Sequence, residues 1–260
     1  MKKYDVVIIG AGIAGMTAGI YAVRAGKSVL ILESKVEGGQ IINTINIENW
    51  PGDYRISGVD LTRKIKEHTE KLGVEYDYLD ISKIEKDGDG WMIVDEDGEE
   101  ILARAIIIAA GTEPRKLSDE QTASAGKRPI SYCATCDGAL YKGKPVVVVG
   151  HGNSAKHEIE YLEGICSKVY NIHHDDPIPE DAEAVFVAIG RIPNTSLFAG
   201  LVDLDASGYV VADETCHTST PGIFVAGDCR TKDLRQLVTA AADGAIAATE
   251  CLNFLSGKKV

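Results

Sequence analysis

Short apolar runs alternate with amphipathic stretches along the whole chain. Residues 4–9 form an apolar run that predicts a buried parallel strand, and the segment from there to Ala25 has helical periodicity. Residues 28–32 predict a second buried strand, and residues 60–72 predict an amphipathic helix. Alternation of this kind predicts an α/β fold built on parallel strands.

The middle and the C-terminal part of the chain extend this pattern. A polar, glycine-rich loop is predicted over residues 38–52, and a polar linker over residues 113–131. Helical periodicity predicts helices at residues 155–163 and 234–255. Apolar runs and alternation predict the remaining strands, at residues 74–84, 91–94, 99–102, 105–109, 145–149, 168–172, 184–189, 208–212 and 222–226.

A glycine-rich turn joins strand to helix twice in the sequence. The first turn reads Gly10-Ala11-Gly12-Ile13-Ala14-Gly15, and Glu33 follows 23 residues after Gly10, at the end of the next strand. In this context the glycines permit a tight turn, the approach of a pyrophosphate and close helix packing, and the acid accepts from a ribose hydroxyl. The second turn reads Gly150-His151-Gly152-Asn153-Ser154-Ala155. Two dinucleotide-binding units are therefore predicted in one chain.

Composition and charge narrow the class of protein. The 260 residues carry a formal net charge of −12, which argues against nucleic-acid binding and against an anionic membrane surface, because both need a basic face. No apolar run approaches the ~18 residues of a membrane-spanning helix, and the N-terminus has no signal-peptide pattern. We therefore expect a cytoplasmic protein, in which paired thiols are reactive more often than structural.

Two cysteines three positions apart lie between the glycine-rich turns, in Ser131-Tyr132-Cys133-Ala134-Thr135-Cys136-Asp137-Gly138. A C-x-x-C pair is a redox-active dithiol, half of a zinc site or a structural disulfide. Structural zinc needs four ligands, but no histidine pair has ligand spacing here. The pattern favours redox chemistry without a metal. The other cysteines stand singly and are expected to be buried apolar residues: Cys166, Cys216, Cys229 and Cys251.

These residues together make the chain resemble the low-molecular-weight thioredoxin reductases, which are flavoproteins with two dinucleotide-binding domains. The resemblance runs from end to end of the sequence. The segments that carry it are residues 10–15, 38–40 (Gly-Gly-Gln), 48–52 (Glu-Asn-Trp-Pro-Gly), 133–138, 188–195 (Ala-Ile-Gly-Arg-Ile-Pro-Asn-Thr), 222–228 (Gly-Ile-Phe-Val-Ala-Gly-Asp) and 235–236 (Arg-Gln).

The resemblance implies an α/β fold of two Rossmann-like dinucleotide-binding domains, the second truncated and inserted into the first. It implies a discontinuous FAD-binding domain at residues 1–113 plus 191–260. The inserted unit, residues 114–190, would resemble an NADPH domain and carry the C-x-x-C pair.

FAD is the cofactor that the resemblance implies. Glu33 would bond the adenosine ribose, Ile84 would meet the adenine through its backbone, and Asp228 would bond the ribityl or pyrophosphate portion. Arg235 and Gln236 would bond the edge of the flavin ring. The full set of residues expected at the cofactor is Gly10, Gly12, Ile13, Ala14, Glu33, Gly39, Gln40, Ile41, Asn49, Ile84, Ala110, Gly111, Asp228, Arg235, Gln236 and Leu237.

The resemblance also assigns catalytic roles around the thiols. Cys136 would accept electrons through the flavin, and Cys133 would attack the disulfide of thioredoxin. Asp137 would handle the thiol proton. Exchange of this kind proceeds through a thiolate, and one reduced flavin carries the two electrons that one disulfide accepts.

The second unit departs from ordinary members of that family. Ordinary members have two arginines after a histidine, and these grip the 2′-phosphate of NADPH. Here His173 is followed by residues 174–176 (His-Asp-Asp), whose carboxylates repel a phosphate. Several tens of residues that would complete the nucleotide fold are missing between residues 176 and 184, and His151 replaces a small residue. The chain therefore resembles a shortened branch, the ferredoxin-dependent flavin thioredoxin reductases.

The leading hypothesis is a reductase that takes single electrons from reduced ferredoxin, stores them on FAD and passes a pair to Cys133–Cys136 and then to thioredoxin. NADH as donor remains an alternative, because Asp175 is a residue type that bonds a ribose 2′-hydroxyl. NADPH as donor is a further alternative. A flavin redox module without turnover is another. The resemblance implies a homodimer. An acidic ferredoxin needs a basic patch, for which the candidates are Arg55, Arg63, Lys64 and Lys66, or Arg115, Lys116, Lys127 and Arg128.

Overall fold

A computed structural model describes residues 2–173 and 175–258, without the side chains of Asn153 and Ser154. Internal contacts divide the chain into two units. The first unit contains the residues up to Thr112 and those from Pro193 onward, and the second unit is Glu113–Ile192. The second unit is thus inserted into the first. Among the described residues, no helix is both long enough and apolar enough to cross a membrane.

The strands and helices are numbered here in the order in which they occur along the chain. They are β1 (Lys2–Ile9), α1 (Ile13–Arg24), β2 (Val29–Glu33), α2 (Gly58–Leu72), β3 (Glu75–Tyr78), β4 (Ile81–Asp87), β5 (Gly90–Asp95), β6 (Glu100–Ile108), β7 (Thr112–Pro114), α3 (Asp119–Ala125), β8 (Ile130–Ser131), α4 (Ala134–Asp137), β9 (Pro145–Val149), α5 (Asn153–Glu163), β10 (Lys168–Ile172), β11 (Val185–Val187), β12 (Arg191–Pro193), β13 (Ile223–Val225) and α6 (Leu237–Leu255).

The first unit is organised around a mixed sheet in which β1 lies centrally. Its described strands run in the order β3-β2-β1-β6-β5-β4, and β13 also pairs with β6. The β1 strand is parallel to β2 and β6, and Val6, Val7 and Ile8 are fully buried, because both faces of the sheet are covered. Helices α1 and α6 cover one face, where small residues let their backbones come close.

The second unit is a smaller sheet of parallel strands in the order β10-β9-β11-β8. The apolar strand β9 lies in the middle, and Val146, Val147 and Val148 are fully buried. Helix α5 packs on this sheet through Ala155 and Leu162. The unit thus keeps the start of a dinucleotide-binding fold, with β9, α5 and β10 in the same strand–helix–strand order as β1, α1 and β2.

The boundaries of several predicted elements were wrong for local reasons. The predicted strands 99–102 and 105–109 form the single strand β6, because residues 101–108 pair continuously with β1. The predicted strand 74–84 breaks into β3 and β4. The predicted linker 113–131 contains α3, whose capping box joins Ser118 and Gln121. The predicted loop 38–52 begins with a 3₁₀ turn at Gly39–Asn43, and the predicted strand 208–212 forms only isolated bridges at Val210.

Candidate functional site

The first glycine-rich turn brings β1, β2, β6 and α1 together. The Gly10 N–H donates to the carbonyl of Leu32 at 2.8 Å, and Gly10 has φ of 112°, which favours glycine. A Cβ on Gly10 would lie 2.4 Å from the Ala109 carbonyl oxygen, and one on Gly15 would lie 2.0 Å from the Gly10 carbonyl oxygen. Both glycines are therefore required for the close packing of strand, turn and helix.

The middle glycine of this turn leaves an open approach to the start of α1. A Cβ on Gly12 would meet no atom within 4 Å, and Gly12 caps α1 without a side-chain hydrogen bond. No acidic residue stands in the first turn of α1. The N-terminus of a helix attracts anions, so the space beside Gly12 fits the pyrophosphate of FAD. Gly39, also predicted at the cofactor, lies beside it, because a Cβ on Gly39 would be 3.8 Å from the Gly12 Cα.

Glu33 lies where the sequence predicts a ribose contact, at the end of β2. One carboxylate oxygen accepts from the Ala11 N–H at 2.8 Å, which joins the acid to the glycine-rich turn. The other oxygen accepts from the N–H groups of Ser34 and Lys35, both at 3.0 Å. A carboxylate oxygen has more than one lone pair, so Glu33 can also accept from a ribose hydroxyl.

A second group of predicted residues meets near the start of α6. The Asn49 amide donates to the Gln236 side-chain oxygen at 3.1 Å, although the two residues are 187 positions apart. Ile41 is buried in a small apolar cluster against which Leu237 packs. Gln40 is exposed in the neighbouring 3₁₀ turn. The loop at residues 39–49 and the start of α6 therefore form one surface.

Asp228 lies in a 3₁₀ turn, Gly227–Cys229, directly after β13. A Cβ on Gly227 would come within 3.0 Å of the Ala14 Cβ, so this turn abuts α1 next to Ile13. The Arg235 guanidinium donates to the Asp228 carbonyl at 3.2 Å and lies over the Tyr209 ring at 4.3 Å. The fold thus places Asp228 and Arg235 close to α1, the helix that follows the first glycine-rich turn.

Two further predicted cofactor positions follow β6, and one lies elsewhere in the sheet. Ala110 is close to Gly10, and its carbonyl accepts from the Asn194 amide at 3.0 Å. The Gly111 carbonyl accepts from the Asn194 N–H at 3.1 Å. Ile84 is buried on β4, and three strands separate β4 from β2 in the sheet order. The adenine contact of Ile84 therefore stays a prediction.

A buried charge network beneath the Asp228 turn was missed by sequence reasoning. Asp243 in α6 accepts from the Gly227 N–H at 3.0 Å, from Arg230 at 3.0 and 2.9 Å, and from Lys232 at 2.7 Å. Burial alone raises the pKa of Asp243, but the hydrogen bonds from Arg230 and Lys232 outweigh it and hold the pKa below its ordinary value. The one available signal was an acid within the Ala-rich stretch of α6, residues 240–248.

The two thiols of the C-x-x-C segment form a disulfide between Cys133 and Cys136. Cys133 caps the short helix α4, and its sulfur accepts from the Cys136 N–H at 3.2 Å. Cys133 is half-buried and Cys136 is exposed. Among the described residues, no group of three or more histidines, cysteines or acids is arranged to hold a metal. The sulfurs are therefore available for exchange chemistry.

Asp137 is held beside this disulfide by a residue that sequence reasoning did not select. The Ser131 hydroxyl donates to the Asp137 carboxylate at 2.6 Å and accepts from the Cys133 N–H at 3.2 Å. Ser131 is buried, so it ties the acid to the backbone of the first cysteine. This position suits a proton acceptor for a nearby thiol. No sequence pattern distinguishes this serine from an ordinary polar residue at the end of a strand.

The second glycine-rich turn keeps its backbone geometry but changes its side chains. Gly150 has φ of 133°, and a Cβ there would lie 2.4 Å from the Ala188 carbonyl oxygen, as at Gly10. The rings of His151 and His173 lie 3.6 Å apart between centroids. The Asp176 carboxylate accepts from the His173 N–H at 2.8 Å and closes a turn after β10. The neighbouring residue 174 is outside the described residues.

The fold and these sites define a flavin-dependent disulfide oxidoreductase. The sequence profile of the pyridine nucleotide-disulphide oxidoreductases matches residues 4–180 and 175–244, and the chain belongs to that family. Its members are flavoproteins, and FAD is the cofactor of this chain. The open turn at Gly12 and the acid at Glu33 fit that cofactor.

Within the family, the chain is similar to several thioredoxin reductases. The thioredoxin reductase of Bacillus subtilis is 38% identical over 302 aligned positions, which cover 98% of this chain and 95% of the relative. A thioredoxin reductase structure from Streptococcus pyogenes has a TM-score of 0.89 and 35% identity, covering 98% of both chains. A ferredoxin-flavin thioredoxin reductase from Clostridium acetobutylicum has a TM-score of 0.63 and 27% identity, covering 98% of both chains.

Proposed function

We propose that the chain is a thioredoxin reductase whose FAD receives electrons from reduced ferredoxin. The observation that carries this proposal is the chemistry at the end of β10. A site for the 2′-phosphate of NADPH needs cations there, whereas this chain has Asp175 and Asp176 after His173. The adjacent rings of His151 and His173 add bulk beside the second glycine-rich turn. An incoming phosphate would meet carboxylates and two imidazole rings instead of a pair of guanidinium groups.

The shortened second unit supports the same proposal. The alignment with the Bacillus subtilis relative spans 302 positions although this chain has 260 residues, so at least 42 aligned positions have no residue of this chain. The two segments of the family match meet at residues 175–180. That is where the sequence predicts the loss of residues that would complete a nicotinamide cleft. The Bacillus subtilis and Streptococcus pyogenes relatives are named simply as thioredoxin reductases, so the donor rests on these chemical arguments.

The residues around the disulfide have distinct roles in the proposed reaction. FAD, when bound, supplies a store for two electrons that can be filled one electron at a time. Cys136 receives the electron pair as the bond between the two sulfurs breaks. Asp137, held by Ser131, gives or takes the proton at a cysteine sulfur. The Cys133 sulfur, stabilised by the Cys136 N–H, then attacks the disulfide of thioredoxin.

The charge pairing of the surface favours one of the two candidate clusters as the ferredoxin contact. In the first cluster, each cation has an acidic neighbour: Arg55 with Glu48, Arg63 with Asp60, Lys64 with Asp53 and Lys66 with Glu37. In the second cluster, the Arg128 guanidinium binds backbone carbonyls, so its charge is not neutralised by those contacts. An acidic partner is attracted by uncompensated positive charge. We therefore assign the contact to Arg115, Lys116, Lys127 and Arg128.

The experiment that tests the donor is anaerobic reduction of the FAD-loaded protein, followed by flavin absorbance. Reduced ferredoxin is expected to bleach the flavin at a catalytic rate and to support reduction of thioredoxin, whereas NADPH is not. The alternative is a pyridine nucleotide donor, which the retained backbone of the turn at Gly150 and Gly152 favours. Rapid bleaching by NADPH or NADH would establish that alternative, and a flavin reduced by ferredoxin without thioredoxin turnover would indicate a non-catalytic redox module.

Two further measurements address the partners. The charge reversals Lys116→Glu and Lys127→Glu are expected to raise the KM for ferredoxin, whereas the matched change Arg63→Glu in the paired cluster is expected to leave it within about twofold. Equal effects in both clusters would refute the assignment of the contact. The homodimer that the family resemblance implies is tested by light scattering of the FAD-loaded protein.

A further inference from the structure

A half-buried glutamate, Glu158, lies against the backbone of the disulfide loop on α5, the helix that follows the second glycine-rich turn. On α5, Ala155, Glu158 and Leu162 follow one another at helical spacing and form the face that packs inward. Ala155 and Leu162 are fully buried, which is ordinary for such a face. An acid between them is not ordinary, because a carboxylate loses hydration there.

The carboxylate of Glu158 is joined to the residue between the two cysteines. It accepts a hydrogen bond from the backbone N–H of Ala134, the residue that follows Cys133. Its other oxygen, Oε2, is fully buried and has no hydrogen-bond partner among the described residues. Ala134 is itself completely buried in the core of the second unit. Glu158 is therefore fixed to the disulfide loop on one side and has one unsatisfied oxygen able to carry a proton.

The same helix holds the loop at a second point. A Cβ on Gly138 would come within 2.9 Å of a Leu162 methyl carbon and 3.1 Å of the Tyr161 ring. The segment from Cys133 to Gly138 thus lies directly on α5. A change of charge on the cysteine sulfurs is consequently felt by a half-buried group on this face of the helix, where water screens it less than at the open surface.

We propose that Glu158 is a positioning residue that takes up a proton when the disulfide is reduced and so allows one cysteine to remain a thiolate. Reduction breaks the bond between the sulfurs of Cys133 and Cys136 and consumes two electrons, which reduced FAD supplies in the proposed reaction. One proton goes to one cysteine sulfur and the second goes to the Glu158 carboxylate, which leaves the other sulfur as a thiolate. Two electrons and two protons thus balance.

Electrostatics favours this division of protons. A thiolate on the disulfide loop and the Glu158 carboxylate on the adjoining helix α5 repel each other, so forming one anion raises the proton affinity of the other. Burial raises the pKa of Glu158 to about 7, against the lowering effects of the Ala134 N–H and of Arg191. The Glu158 carboxylate can therefore take up or release a proton near neutral pH, even before a thiolate forms.

Other titratable groups surround α5, and the test must separate them from Glu158. Strand β9 contributes none, because it reads Pro-Val-Val-Val-Val. Three further sets lie around α5. The disulfide loop and the turn after it contribute Cys133, Cys136, Asp137 and Tyr141; the segments that follow contribute Cys166, Lys168, Tyr170 and Arg191; and α5 itself contributes Lys156, His157, Glu160, Tyr161 and Glu163. Of these, the positive charge of Arg191 lowers the pKa of Glu158.

The decisive comparison is between Glu158→Gln and Glu160→Gln in the FAD-loaded protein. Glutamine at 158 keeps an acceptor for the Ala134 N–H but cannot titrate, whereas Glu160 lies on the exposed face of the same helix. The equilibrium between disulfide and dithiol is measured in dithiothreitol buffers by alkylation and mass spectrometry. The ratio of the wild-type equilibrium constant to that of each variant is taken in the same buffer, because this cancels the pH dependence of dithiothreitol itself.

The proposal predicts the sign and the size of the effect. Above about pH 7, reduction of wild type takes up one proton more than reduction of Glu158→Gln, so rising pH disfavours wild-type reduction more strongly. The ratio of the wild-type equilibrium constant to that of Glu158→Gln should fall, by up to about tenfold for each pH unit between about 7 and 8.5. The ratio of wild type to Glu160→Gln should stay constant. A constant ratio for Glu158→Gln would overturn the proposal.

A second measurement covers the case in which Glu158→Gln does not fold. The infrared difference spectrum of wild type, reduced minus oxidised at about pH 7.5, should contain a new band from a protonated carboxyl group that persists in Glu160→Gln. Absence of that band would overturn the proposal. The inference rests on the proposed disulfide chemistry but not on the electron donor, because dithiothreitol replaces it. A chain whose disulfide is never reduced by dithiothreitol would refute the proposed function itself.

Discussion

The buried charge network around Asp243 gives the most quantitative test of the structure. Asp243→Asn removes the only acid with which buried Lys232 pairs among the described contacts and the main partner of Arg230, whose side chain is 1% exposed. Breaking a buried ion pair by removing one partner costs about 3–5 kcal/mol, since the remaining charge stays buried without compensation. The asparagine oxygen still accepts one hydrogen bond, so we expect about 3 kcal/mol of destabilisation.

The assay is urea denaturation of the FAD-loaded protein, followed by circular dichroism and by flavin release. Flavin release is expected to shift with the unfolding curve, because Asp243 also binds the Gly227 N–H beneath the Asp228 turn. Asp233→Asn is the matched control, since Asp233 is exposed and close in sequence, and its effect should stay within about 0.5 kcal/mol. Adding Lys232→Met to Asp243→Asn should restore part of the lost stability, because one uncompensated buried charge is then gone.

Two outcomes would refute this reasoning about the network. One is a loss of less than about 0.5 kcal/mol in Asp243→Asn, which would place the cations in water rather than in the core. The other is further destabilisation when Lys232→Met is added. The pH dependence has a defined sign, because a carboxyl with a lowered folded pKa stabilises above its unfolded value. That contribution is fully present above about pH 4 and is lost as the pH falls through the folded pKa.

The remaining predictions concern the two loops and the cysteines. Gly12→Ala should fold normally but bind FAD more weakly, because its methyl group occupies the open approach, whereas Gly15→Ala should lose about 1–3 kcal/mol of stability because its methyl group strikes the Gly10 carbonyl. Ser131→Ala should lower thioredoxin turnover by about tenfold or more, since a hydrogen bond to the Asp137 carboxylate is worth about 1.5–3 kcal/mol. After mild reduction, iodoacetamide should label the two loop cysteines quickly, whereas burial keeps three others as unreactive thiols until the chain unfolds: Cys216, Cys229 and Cys251.

Each of these predictions has its own contrary result. FAD titration and thermal unfolding separate the glycine variants, and equal stability of Gly12→Ala and Gly15→Ala would contradict the close packing at Gly15. Steady-state turnover reports on Ser131→Ala, with Ser124→Ala as an exposed control in α3. Unchanged turnover would remove Ser131 from the proton path. Rapid native labelling of the buried thiols, followed by mass spectrometry, would contradict their burial.

The parallel core and both glycine-rich turns could be predicted from the sequence because each depends on local chemistry. Apolar runs such as β1 and β9 are uniform enough to identify buried strands, and glycine at positions 10 and 15 is dictated by contacts within one strand–helix unit. Strand ends were less predictable. The continuous pairing of β6 with β1 is a property of the sheet, and no local signal at Ala103 and Arg104 reports it.

The parts of the site that sequence reasoning missed are contacts between distant segments. Asp243 meets Arg230 and Gly227 only because α6 passes beneath the turn after β13. Glu158 meets Ala134 only because α5 packs on the disulfide loop. A single sequence carries no record of such pairs, since neither residue belongs to a motif with fixed spacing. The hydrogen bond between Asn49 and Gln236 joins two residues that only the family resemblance had assigned to one site.

Helix α5 contacts the second glycine-rich turn at its N-terminal end and the disulfide loop along one face. The two contacts place different constraints on the residues of the helix. Its first residues adjoin a nucleotide turn that the chain has altered, while the side carrying Ala155, Glu158 and Leu162 supports the disulfide loop. Substitutions at the N-terminal end of α5 can therefore change the glycine-rich turn without disturbing the contact with the disulfide loop. A saturation library across α5 should tolerate nearly every substitution on the outward side and almost none on the side that supports the loop.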